Sequence, residues 1–61
     1  MTTARAPLSS LATTLDELTD RVTEAADAIS VERGDLGADL YEVERSLRAA
    51  SRRLASVLRE I

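Results

Sequence analysis

Four carboxylates form the pattern in this 61-residue sequence that comes closest to a metal site. Asp16, Asp20, Glu24 and Asp27 recur at spacings of three and four, which places them along one face of a helix. Carboxylate oxygens suit hard cations, but di-metal helical bundles also use inward-pointing histidines. Because the chain has no His and no Cys, we interpret the row as a solvated acidic face. We predict no metal, no cofactor and no small-molecule substrate.

The arginines of the C-terminal third form a second pattern. Arg45, Arg52 and Arg59 repeat every seven residues. Guanidinium groups in such a row could contact nucleic-acid phosphates, but the net charge is -3, the pI is about 4.7 and Tyr41 is the only aromatic residue. Nucleic-acid association is therefore the weakest of our functional hypotheses. The candidate polar surface for a partner comprises Arg45, Arg48, Arg52, Arg53 and Arg59.

The remaining polar residues do not assemble a catalytic set. Serines are plentiful, yet the chain contains no His, Lys or Cys that could activate one or serve as a nucleophile. A single Tyr41 is more typical of a half-buried packing residue with a wet hydroxyl. We predict that the protein is not an enzyme.

Two apolar stripes predict the elements that carry these residues. In each stripe the spacing alternates between three and four, which is typical of a coiled-coil seam or a helical bundle. Extending the first register would require apolar residues where Glu32 and Asp39 stand, so the two stripes are out of phase and belong to two helices. The first stripe is Leu8, Leu11, Leu15, Leu18, Val22, Ala25 and Ile29, and the second is Leu36, Leu40, Val43, Leu47, Ala50, Leu54, Val57 and Ile61.

The stretch between the stripes predicts a turn. Gly34 can close a helix in the left-handed conformation, and Asp35 can cap the helix that follows. The fold class is therefore all-α: residues 1–7 form a flexible arm, and residues 8–61 form an antiparallel two-helix hairpin. Its parts are helix 1 at about 8–33, a turn at about 34–35 and helix 2 at about 36–61. This folding places Arg48 and Arg52 level with Asp20 and Asp16.

The residues beside the stripes predict a further layer of helices. Ala12, Thr14, Thr19, Ala26 and Ala28 flank the first stripe, and such small residues favour close packing of another helix. A chain of this length is also marginally stable alone. We therefore predict a homodimer that forms a four-helix bundle. Its predicted oligomer or partner interface comprises Leu8, Leu11, Leu15, Leu18, Val22, Ile29, Leu36, Leu40, Val43, Leu47, Leu54, Val57, Leu58 and Ile61.

These features favour a non-catalytic interaction or scaffold module that binds itself, a larger protein, or both. The alternative is a small regulatory binder, such as an inhibitor or an antitoxin-like protein, that folds onto a larger partner. No apolar run approaches the length of a membrane span or a signal peptide, and cysteine is absent. We therefore expect a cytoplasmic protein, of bacterial or phage type given its arginine-only basic composition.

Overall fold

The computed structural model describes residues 3–61 as two α-helices, α1 (Arg5–Ser30) and α2 (Gly34–Glu60), that pack against each other. The helices are antiparallel, because Tyr41 near the start of α2 bonds to Asp27 near the end of α1. The pair measures 48 × 15 × 10 Å and is therefore a long, thin slab. The predicted all-α helical hairpin is confirmed.

The first helix begins at Arg5, within the segment that the sequence assigned to a flexible arm. Pro7 lies in the first turn of α1, where backbone N–H groups have no intrahelical partner, so its missing N–H costs nothing. The Arg5 guanidinium donates to the Leu58 carbonyl at 2.6 Å. This contact joins the first turn of α1 to the last turn of α2. The part of the predicted arm at residues 1–2 lies outside the described residues.

The chain reverses at residues 31–33 instead of 34–35. The Glu32 and Arg33 amides both donate to the Ile29 carbonyl, at 3.2 and 2.8 Å, and close α1. Gly34 is the first residue of α2, and none of residues 3–61 has a positive φ, so the predicted left-handed glycine cap is wrong. The predicted Asp35 cap is also wrong. Its carboxylate instead accepts two hydrogen bonds from the Arg33 guanidinium, at 3.1 and 2.9 Å.

Large and small residues alternate along the α1 side of the contact between the helices, which we call the hairpin seam. All its members are buried or half-buried. The small residues Ala12, Thr19 and Ala26, interpreted above as packing on a further helix, face α2 instead. The seam consists of Leu8, Ala12, Leu15, Thr19, Val22, Ala26 and Ile29 from α1, of Gly37, Leu40, Glu44, Leu47, Ser51, Leu54 and Leu58 from α2, and of Ile61 directly after α2.

The helices pack tightly against each other at Gly37, beside the turn. Gly37 is buried, and a Cβ placed on it would overlap the Ser30 Oγ and lie 2.8 Å from the Ser30 Cβ and 3.0 Å from its Cα. The α-carbon of Gly37 therefore packs directly on α1. A glycine inside a helix costs about 1 kcal/mol relative to alanine, and this close contact explains why the helix nevertheless carries one here.

Candidate interaction surface

Seven apolar residues form a second surface outside the hairpin seam, which we call the open apolar face. Its large side chains are substantially exposed: Leu11 57%, Leu18 45%, Val43 45% and Val57 47%. Contiguous exposed apolar surface is a feature that many interaction sites share. The open apolar face consists of Leu11, Leu18 and Ala25 from α1 and of Leu36, Val43, Ala50 and Val57 from α2.

The two helices contribute to the open apolar face on the same broad side of the slab. Each of its residues comes directly before a residue of the hairpin seam, as Leu18 precedes Thr19 and Val43 precedes Glu44. One residue is a rotation of about 100° around a helix of 3.6 residues per turn. Because the helices are antiparallel, equal rotations on α1 and α2 turn both stripes toward the same side. The hairpin therefore presents one continuous apolar surface.

A single hairpin encloses almost no core. Ala26 is the only buried apolar side chain in the described part of the chain, and no large side chain there is fully buried. Even the central seam residues Leu15 and Leu47 are only half-buried. Burial of apolar surface is the main force that stabilises a fold, so covering the apolar side chains that one hairpin leaves exposed would add to its stability.

The opposite broad side, which we call the polar face, joins the helices through hydrogen bonds. The Ser51 hydroxyl donates to the Asp16 carboxylate at 2.7 Å, and the Tyr41 hydroxyl donates to Asp27. A shallow cleft on this face is lined by Asp16, Thr19, Arg48, Ser51 and Arg52. The buried Thr19 hydroxyl is satisfied within its own helix, because it donates to the Leu15 carbonyl at 2.7 Å.

The Tyr41 contact reports on the alignment of the two helices. The hydrogen bond to Asp27 raises the pKa of the Tyr41 hydroxyl above its ordinary value of 10.0, and desolvation adds to the shift. A group with a raised pKa in the folded state stabilises the fold below its unfolded pKa. That stabilisation is lost as the pH rises through the folded pKa.

We expect Asp27→Asn to lower the pKa of Tyr41 toward 10.0, because the accepting carboxylate loses its charge. Since Tyr41 is the only aromatic residue, an alkaline titration of tyrosinate absorbance measures it alone. Asp20→Asn, one heptad earlier on α1, makes the same change in charge and should leave the Tyr41 pKa where it is. Identical titration curves for the two variants would show that the helices are not aligned as described.

The arginines of α2 lie on the outside of the hairpin, and some are already paired. Arg45 contacts Glu42 at 3.1 Å and Arg48 contacts Glu44 at 2.8 Å. Every ion pair found within residues 3–61 joins side chains two to four positions apart. The expected alignment of Arg48 with Asp20 therefore gives no ion pair across the helices. Arg52, Arg53 and Arg59 are exposed.

The structure divides the predicted interface residues between two surfaces. The hairpin seam contains Leu8, Leu15, Val22, Ile29, Leu40, Leu47, Leu54, Leu58 and Ile61, whereas the open apolar face contains Leu11, Leu18, Leu36, Val43 and Val57. Ala25 and Ala50 belong to the second surface and were missing from the predicted interface. Their place in the two stripes was the signal that could have identified them.

The described residues contain no group of three or more His, Cys, Asp or Glu side chains placed to hold a metal ion. Neither of the two helices is both long and apolar enough to cross a membrane. No protein-family model, curated protein or solved structure matches the sequence or the fold of this chain.

Proposed function

We propose that this chain is a non-catalytic interaction module that self-associates through its open apolar face, forming a four-helix bundle from two hairpins. The observation that carries the proposal is the near absence of a core in a single hairpin, together with a continuous apolar surface on one side. A second layer of helices would cover that surface and complete the burial of the half-buried seam leucines. This arrangement gives each helix the wide apolar stripe that is typical of bundles.

The size of the surface supports a dimer. The broad side of the slab, 48 by 15 Å, has a projected area of about 700 Å² on each copy, which is of the same order as the roughly 800 Å² of accessible surface that each partner buries in a stable interface. The lack of cysteine is consistent with assembly in the cytoplasm.

The test is the solution mass by light scattering across a dilution series, with helicity measured by circular dichroism on the same samples. We expect twice the chain mass of 6.6 kDa, and a loss of helicity as dilution separates the copies. A helical monomer at every concentration would contradict the proposal. A largely unfolded monomer would also contradict it, and would favour a regulatory segment that folds onto a larger protein.

A further inference from the structure

We infer that the occupant of the open apolar face is a second copy of this hairpin in a tip-to-base orientation, with α2 packed antiparallel on α2 of the second copy. The tip is the turn at residues 31–33, and the base is the opposite end, where α1 begins and α2 ends. This inference rests on the proposed self-association and adds its orientation and register. Three observations support it.

The first observation is the uneven charge along the slab. The tip half, residues 21–46, carries seven carboxylates and three arginines, whereas the rest of the chain carries four carboxylates and five arginines. The net charges are therefore -4 for the tip half and +1 for the base half. Two hairpins side by side with their tips together would place the acidic halves against each other. The tip-to-base orientation brings each acidic half beside a basic one and lowers the repulsion.

The second observation is the symmetry of α2 about Ser46. Asp39, Ser46 and Arg53 share one heptad position along the edge of the open apolar face, three residues after Leu36, Val43 and Ala50, respectively. A two-fold axis beside Ser46 brings Asp39 of each copy opposite Arg53 of the other. It also brings Val43 within about one residue, or 1.5 Å along the helix, of the level of Ala50, so that a larger side chain meets a smaller one.

The third observation is that α1 gives the same axis independently. The contacts of Asp16 with Ser51 and of Asp27 with Tyr41 place Ser46 level with Arg21 and Val22. Leu18 and Ala25 lie at equal distances on either side of that level. The axis therefore pairs Leu18 with Ala25 of the second copy, again large against small. Because the same two-fold axis pairs large with small residues on both helices, the surface is self-complementary, as a two-fold interface requires.

The orientation is measurable as a distance between two tips. The chain has no cysteine, so Glu32→Cys provides one attachment point for a nitroxide spin label at the exposed tip. The axis lies about 13 residues from the tip, so at 1.5 Å per residue the tip-to-base orientation places the two labels about 40 Å apart. A label separation below about 20 Å would show tips together and overturn the inference while leaving self-association intact. The absence of any dipolar coupling, with a monomeric mass, would overturn both proposals.

Charge reversal tests the register without a label. We expect Asp39→Arg and Arg53→Asp each to raise the dimer Kd about tenfold, since two exposed ion pairs become repulsive. A mixture of the two variants should form a heterodimer with a Kd near that of the original protein, because both pairs are then opposite in charge. Arg52→Asp is the control, since the adjacent Arg52 lines the cleft on the polar face. If the mixture binds no better than either variant alone, Asp39 does not face Arg53.

Discussion

Leu18→Lys is expected to convert the proposed dimer into a monomer and to remove most of its helicity at micromolar concentration. Leu18 is 45% exposed in the single hairpin, so the substitution leaves the seam unchanged and acts on the open apolar face. Because only 45% of Leu18 is exposed before association, each of the two leucines in a two-fold dimer loses about half of the 1.5–3 kcal/mol that full burial gives, and the interface must also accommodate two ammonium groups near its centre. The Kd should therefore rise at least about 100-fold, which light scattering across a dilution series measures.

The matched control for this substitution is Thr13→Lys. Thr13 is exposed on α1 and belongs to neither the hairpin seam nor the open apolar face, and its replacement makes the same change in net charge. We expect this variant to dimerise like the original protein. If Leu18→Lys also dimerised normally, the open apolar face could not be the interface.

Gly37→Ala is expected to lower the free energy of unfolding by about 1–3 kcal/mol, the usual cost of forcing an extra carbon into a packed contact. Helix propensity alone would favour the alanine by about 1 kcal/mol, so the sign of the effect distinguishes packing from propensity. Rotation of the Ser30 hydroxyl would not relieve the contact, because the Ser30 Cβ and Cα lie within 3.0 Å of the added carbon. Urea denaturation at a fixed protein concentration measures the difference.

Gly34→Ala is the control for the Gly37 variant. A Cβ at Gly34 has no atom within 4 Å, and its φ is not positive, so we expect unchanged or slightly raised stability. The double variant Gly37→Ala, Ser30→Gly should recover part of the loss, because it removes the two side-chain atoms that the new Cβ meets. Equal stabilities for Gly37→Ala and Gly34→Ala would mean that the helices are further apart than described.

The phase of the two stripes was enough to predict the hairpin. Glu32 and Asp39 interrupt the first register, and the observed reversal at residues 31–33 lies at that interruption. The local chemistry of the turn was predicted less well. Gly34 was expected to be left-handed, but the Ile29 carbonyl accepts the amides of Glu32 and Arg33 and closes α1 before the glycine. Asp35 was expected to cap α2, but the nearby Arg33 guanidinium binds its carboxylate instead.

The sequence by itself determined that the chain forms two helices, that they fold back on each other, and that each has apolar residues at alternating spacings of three and four. Periodicity carries this information because it depends only on the number of residues per helical turn. Periodicity did not determine which apolar residues face the partner helix, because in each helix the apolar stripe and the hairpin seam share every second member.

The tertiary structure decided that rotation. Ala12, Thr19, Ala26 and Gly37 face the seam, where their small size lets the helices approach until Gly37 packs on Ser30. The larger Leu11, Leu18, Val43 and Val57 are consequently turned outward, although they appear in the sequence as members of the same stripes. The physical reason is that close packing of two helices depends on how the shapes of both surfaces fit together. Neither stripe alone contains this information.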